Sequence, residues 1–215
     1  MPEAARRVPA ASLLDDLVAE IRVCRICAQS NAKPLPHAPR PVVVASTEAR
    51  ILIAGQAPGT RVHETGIPFN DRSGDRLREW LGVTRDQFYD PRNFAIVPMG
   101  FCFPGQDAKG GDLPPRPECA PRWRGPLLEL MPQIDLVLAI GQYAHAWHMG
   151  KARRSSLTET VREWREVHAA SGRPRVLPLP HPSWRNTGWL KANPWFGEDL
   201  LPFLKSEIRT RLYTS

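Results

Sequence analysis

Four cysteines are the first residues in this chain whose spacing implies chemistry. Cys24 and Cys27 form a C-x-x-C pair, and Cys102 and Cys119 follow with sixteen residues between them. So few cysteines in a chain read as cytosolic are not expected to form structural disulfides. Thiolates drawn from two separated segments suit an iron–sulfur cluster of the 4Fe–4S type. Zinc is the alternative, although the second pair lacks the close spacing of a zinc ribbon.

A second group lies around two glycine- and proline-bounded stretches, Gly55-Gln56-Ala57-Pro58-Gly59 and Gly66-Ile67-Pro68-Phe69-Asn70-Asp71-Arg72-Ser73-Gly74. Neither G-x-G-x-x-G nor a Walker loop is present. Two glycines around a proline make a rigid turn whose backbone amides can approach a ligand closely. Phe69 is placed to form a stacking wall for a planar base, and Asp71 to act as a base or an electrostatic stabiliser. A third group is His181-Pro182-Ser183, continued by Trp184-Arg185-Asn186. The flanking prolines fix the backbone of His181. His145 and His148 lack a third nearby ligand and read as structural.

These groups need a scaffold, and the apolar pattern supplies one. Ile51–Ala54, Phe94–Val97, Leu136–Ile140 and Val176–Leu179 are short apolar, β-branched runs of the kind that form buried strands. Amphipathic stretches lie among them. Leu13, Leu14, Leu17, Val18 and Ile21 share one helical face, and Leu77, Trp80 and Leu81 another. Leu127, Leu128 and Met131 form a third stripe, Leu157, Val161 and Trp164 a fourth, and a last helix is expected from about Glu198 towards Leu212. The prolines of Lys33–Pro41 and Asp112–Pro121 mark loops and argue against regular helix there. This alternation predicts an α/β fold, a three-layer α/β/α sandwich around a central, mainly four-stranded parallel sheet. One domain over 1–215 is expected, with residues 1–11 flexible. In such sheets ligands bind beyond the carboxyl ends of the strands. The Gly55 turn, Met99-Gly100-Phe101-Cys102, Gly141-Gln142-Tyr143 and His181-Pro182-Ser183 each follow a strand, so that edge is the expected site.

Lysine and arginine outnumber aspartate and glutamate 29 to 22, for a formal charge of +7, which favours polyanionic partners. Arg6-Arg7, Arg122-Trp123-Arg124 and Lys151 to Arg154 are candidate phosphate contacts. No apolar run is long enough to span a bilayer and the N-terminus lacks a signal-peptide core, so a cytoplasmic protein away from membranes is expected.

The order and strand context of these motifs resemble the uracil-DNA glycosylase superfamily, in particular its bacterial iron–sulfur branches, families 4 and 5. Those branches carry a G-E-A-P-G or G-L-A-P-type turn, then G-x-P-F, then a glycine-bounded loop and a terminal H-P-S. Here the counterparts are Gly55–Gly59, Gly66–Phe69 and His181–Ser183, and the resemblance covers roughly Cys24 to Leu204. It implies a DNA-repair glycosylase that removes uracil, and related deaminated bases, from single- or double-stranded DNA as a monomer working at the nucleoid. It further implies a 4Fe–4S cluster on Cys24, Cys27, Cys102 and Cys119, and a hydrogen bond from His181 to the departing base. Ser183, Trp184, Arg185 and Asn186 would line the DNA, with Arg185 as the helix-invading wedge.

The chain also departs from that pattern. Gln56 and Ala57 stand where those relatives have a water-activating carboxylate, which leaves Asp71 as the nearest substitute and Glu64 or His63 as alternatives. No asparagine follows the second strand, so base reading falls to Gly55, Gln56, Ala57 and backbone groups of Met99 and Gly100. Gly59 replaces a tyrosine that excludes thymine, which implies a wider range of bases. Two other readings remain open at this level. One is a non-catalytic iron–sulfur protein of the same fold that binds DNA lesions. The other is an unrelated nucleotide-binding α/β enzyme with structural zinc.

Overall fold

A computed structural model of the chain describes residues 9–29 and 34–213. Arg6, Arg7, Lys33 and residues 1–8 of the stretch expected to be flexible lie outside the described residues. Ala10 and Ala11, in the same stretch, belong to a helix.

Four parallel strands, β1 (Ile51–Ala54), β2 (Phe94–Ile96), β3 (Leu136–Ile140) and β4 (Arg175–Leu179), form one sheet in the order β2-β1-β3-β4. Ile53 lies opposite both Ile96 and Leu138, and Leu138 opposite Leu177. All four strands are buried on both faces, which explains why they read as unbroken apolar runs rather than alternating ones.

Helices cover the two faces. In chain order they are α1 (Ala10–Arg22), α2 (Thr60–Thr65), α3 (Arg72–Leu81), α4 (Arg85–Tyr89) and α5 (Cys119–Glu129). Then come α6 (Gly141–Met149), α7 (Leu157–Arg162), α8 (Trp164–Ala170), α9 (Thr187–Ala192) and α10 (Leu201–Tyr213). Leu52, Ala54, Val137 and Val176 meet Leu14, Val18 and Ile21 of α1 together with Trp123 and Leu127 of α5. The alternate residues Ile51, Ile53, Leu138 and Leu177 meet Leu77 and Leu81 of α3 and Leu204 and Ile208 of α10. The period-two alternation of the strands thus feeds two separate cores, and the chain is the expected three-layer α/β/α sandwich.

Several helix details differ from the sequence pattern. Leu13 is exposed, so the inner stripe of α1 is Leu14, Val18 and Ile21. The second proline-rich stretch does not exclude helix, because α5 starts at Cys119 and takes Pro121 into its first turn, where a missing N–H costs nothing. The Leu157–Trp164 stripe is divided at Glu163 between α7 and α8, although Val161 and Trp164 are both buried. The last helix starts at Leu201 after a wide turn over Phe196–Leu200. Pro202 has no N–H to offer the Glu198 carbonyl, which accounts for the changed winding there.

At the amino ends of the strands, Asp135 ties several elements together. Its carboxylate accepts from Arg50 at 2.6 Å and from Nε of Arg211 on α10. Its carbonyl accepts from the Arg175 N–H of β4 at 2.8 Å, and its N–H donates to the Arg50 carbonyl at 3.0 Å. Burial by itself would raise the Asp135 pKa, but the hydrogen bonds from Arg50 and Arg211 outweigh it and hold the carboxyl below the usual range. A depressed carboxylate stabilises the fold above its unfolded pKa of about 3.9, and that contribution disappears as pH falls through the lower folded value. Asp135→Ala should therefore cost about 1.5–3 kcal/mol at pH 7, because the charge-assisted hydrogen bonds from Arg50 and Arg211 to its carboxylate are lost. Denaturant melts should show the difference between variant and wild type shrinking below about pH 4.

Candidate active site

The loops leaving β1, β2 and β4 enclose a cleft of about 350 Å³ at the carboxyl edge of the sheet. Gly55, Gln56, Ala57, Phe69, Asp71, His181, Ser183, Trp184 and Arg185 all line it, bringing together segments more than a hundred residues apart in sequence.

Phe69 is held in a costly conformation. Its φ is +52°, unusual for a residue with a side chain, and such strain is worth about 1–3 kcal/mol. The Tyr89 hydroxyl donates to the Pro68 and Phe69 carbonyls at 3.0 and 3.2 Å. Arg78, itself buried, lies 3.4 Å from the same Phe69 oxygen. Gly74, in the first turn of α3, lets that carbonyl approach so closely that an added Cβ would sit 1.7 Å from the oxygen. The Phe69 ring then stands beside Gly55, its Cζ 3.6 Å from where a Cβ would be, as a fixed apolar wall.

Asp71 caps α3, its Oδ1 accepting the Gly74 N–H at 2.9 Å. His181 is oriented from two sides. Its Nδ1 accepts the Ser183 N–H at 3.2 Å, and its carbonyl accepts from Asn186 Nδ2 at 2.7 Å. An accepting Nδ1 places the proton of the neutral ring on Nε2. Burial lowers the His181 pKa, opposed by the negative charges of Asp71 and Asp112, and the net shift is downward. The ring is therefore a neutral donor at physiological pH. Arg76 of α3 holds the same loop, donating to the Ser183 carbonyl at 2.8 Å and approaching Thr187 Oγ1 at 3.2 Å.

The remaining expected residues separate into distinct groups. Asn186 and Ser183 support His181 through the bonds just described. Trp184 is 62% exposed at the mouth of the cleft. Arg185 is engaged there, donating from Nη2 to the Gly110 carbonyl at 3.0 Å. The amides of Met99 and Gly100 are not available to a base, which corrects that expectation: they donate to the Gly55 and Gln56 carbonyls at 2.8 and 2.9 Å. Neither residue lines the cleft, nor do His63 and Glu64, and the His63 ring packs on His37 at 4.1 Å between centroids. Gly141–Tyr143 open α6 without lining the cleft.

Arg124 is fully buried rather than a surface phosphate contact, donating to the Val97 and Pro98 carbonyls and facing His148 Nε2. His148 is accordingly uncharged, with burial pushing its pKa down to about 3. His145 is structural too, its Nε2 lying 3.0 Å from the Ala139 carbonyl and 3.1 Å from the Leu179 carbonyl. The sequence pattern passed over Gln106, Gly110 and Asp112, which line the cleft from the loop after β2, Asp112 there only opening a proline-rich stretch.

The loop after β2 is shared: Pro98, Gln106, Gly110 and Asp112 line the cleft, while its Gly100–Cys102 and Arg116–Glu118 stretches help build a second pocket. Cys24, Cys27, Cys102 and Cys119 all line it, with Ile21, Pro41, Phe101 and Trp123. Burial raises the Cys102 thiol to about 11 and the Cys119 thiol to about 12. Cys119 Sγ accepts the Phe101 N–H at 3.3 Å, Cys102 accepts a backbone N–H from Arg40, and Arg116 lies beside Cys27. Amide and guanidinium donors of this kind suit metal-bound thiolates, which are anionic. Among the described residues, no three such side chains converge closely enough to grip a single ion.

The family model of the uracil DNA glycosylase superfamily matches residues 42–205, well over half of the chain, and the chain belongs to that superfamily. Among the described residues no helix is long and apolar enough to cross a membrane.

The Phe69–Gly74 contact can be tested by one methyl group. Gly74→Ala must drive the Phe69 carbonyl away from its Tyr89 and Arg78 donors. A loss of at least about 1–3 kcal/mol in a denaturant melt is expected, as for other overpacked sites. A melt unchanged from wild type would mean that the loop relaxes freely and that Phe69 is not a fixed wall.

Proposed function

We propose that this member of the superfamily is a repair glycosylase that cleaves the N-glycosidic bond of uracil, and of related deaminated bases, in DNA. The observation that carries this reading is His181, a half-buried neutral imidazole with its Nδ1 already satisfied and its Nε2–H left for the cleft. Such a donor suits a leaving base on which negative charge grows as the bond breaks. A preorganised donor of this kind is worth about 2.7–4 kcal/mol to the transition state.

The damaged base first leaves the stack, at a cost of a few kcal/mol that mispairing reduces. Phe69 then covers one face of the base, beside the turn from Gly55 to Ala57. The bond loosens towards an oxocarbenium-like sugar. His181 donates to the departing base, and Asp71 supplies negative charge close to the developing cation. Trp184 and Arg185 are the DNA-facing pair at the mouth, while Ser183 and Asn186 support from behind. Gly59 puts no side chain in the way of a larger base, which favours a range wider than uracil.

Cys24, Cys27, Cys102 and Cys119 are the residues that would hold a 4Fe–4S cluster. Each thiolate of such a cluster binds a separate iron, so the four need a common pocket rather than the tight convergence that zinc requires. The shared pocket and its amide and guanidinium donors support the cluster. When bound, it would fasten the end of α1 to the loop after β2 and to α5. Protein purified without air should be brown and carry about four irons per chain. Colourless protein with stoichiometric zinc would reject the cluster.

The catalytic reading is tested with oligonucleotides carrying uracil, hypoxanthine or xanthine. His181→Ala should slow base release about 10²–10³-fold with little change in DNA affinity, because the donor acts on charge absent from the ground state. The His181 contribution should also be flat through pH 6.5, where an ordinary histidine titrates, since its pKa is lowered. Tight binding to lesions with no release of any base would favour the non-catalytic reading instead.

A further inference from the structure

The turn after β1 has no carboxylate of its own, yet one reaches it from a distant loop. Residues 105–113 double back on themselves. Leu113 N–H donates to the Gly105 carbonyl at 3.0 Å, and Asp107 N–H to the Gly111 carbonyl at 2.8 Å. Asp107 Oδ1 accepts from the Lys109 and Gly111 amides at 2.8 and 2.9 Å, which closes the tip. This places Gln106 opposite Asp112, and its Nε2 lies 3.2 Å from Asp112 Oδ1.

Two cleft residues clamp the loop in place. Gln56 Nε2 donates to the Leu113 carbonyl at 3.0 Å, and Arg185 Nη2 donates to the Gly110 carbonyl at 3.0 Å. Asp112 lines the cleft as a result, its Oδ2 only 3.4 Å from the position a Cβ would take on Gly59. Its charge acts on His181 together with that of Asp71.

We propose that Asp112 is the base that activates the hydrolytic water, replacing the carboxylate absent at Gln56 and Ala57. The inference rests on the glycosylase reading above. Gln56 has a defined part in it, because an amide can donate to the Leu113 carbonyl and a glutamate at that position cannot. The missing turn carboxylate and the arriving loop carboxylate are then one arrangement.

In the step itself, one O–H bond of water breaks as its oxygen bonds to the sugar C1′, and the proton passes to Asp112. The C1′–N bond breaks and its electron pair leaves with the base, steadied by the hydrogen bond from His181. The base takes a proton back from Asp112 or solvent, so water is divided between abasic sugar and free base with no further reactant.

The test is single-turnover release of uracil from a single-stranded oligonucleotide by wild type, Asp112→Asn, Gln56→Leu and the double variant. Asp112→Asn should lower the rate about 10²-fold or more and keep or tighten DNA binding. Its melting temperature should match wild type, because the residue lies on an exposed loop. Gln56→Leu should slow wild type by releasing the clamp, yet add nothing in the Asp112→Asn background, since both changes act through one group. Release by Asp112→Asn within threefold of wild type overturns the assignment and leaves the glycosylase reading standing. A wild type that releases no base overturns that reading, and Asp112 with it.

Discussion

All four strands run in parallel, and from that constraint the rest of the arrangement follows. Parallel strands send every strand-to-helix connection out of the same edge, so chemistry placed on those loops converges without further design. With the order β2-β1-β3-β4, the chain leaves β1 and β3 in opposite directions, and the cleft lies among the loops that follow β1, β2 and β4. The opposite edge carries the binding together of the strands, through Asp135 and the arginines around it. Stability and chemistry therefore occupy different ends of one sheet.

Backbone bonds at the carboxyl edge divide the loops into two functions. The carbonyls of Gly55 and Gln56 take the amides of Met99 and Gly100, which joins the cleft turn to the loop carrying Cys102. The cysteine pocket and the cleft thus share a rigid seam of backbone. Arg124 reinforces it from below by donating to the Val97 and Pro98 carbonyls just ahead of that loop. A cluster held by the cysteines would strengthen this seam at a point remote from the reacting bond.

Within the cleft, orientation is set by short-range contacts and protonation by burial. His181 is neutral because desolvation outweighs the pull of Asp71 and Asp112, and its tautomer follows from the single amide of Ser183. The strain at Phe69 is borne by the Tyr89 hydroxyl, Arg78 and the bare Gly74 backbone, none of which touches a reacting atom. Rigidity at the wall is bought by packing behind it.

Much of this was legible in the residue order. Buried parallel strands appear as unbroken apolar runs, and Ile51–Ala54 and Leu136–Ile140 match their strands residue for residue. The motifs following β1 and β4 meet in the cleft because sheet direction alone dictates it, and the family match over 42–205 agrees with the resemblance those motifs carry. Residue type could not tell which amides were already spent, as at Met99 and Gly100, nor that Arg124 is buried behind Val97. It also could not bring Asp112 to Gly59, fifty-three positions away, because that approach depends on the Gln56 and Arg185 clamps. Strand and helix follow from the periodicity of neighbouring residues, whereas a hydrogen bond across the fold depends on the relative placement of elements, which only tertiary packing decides.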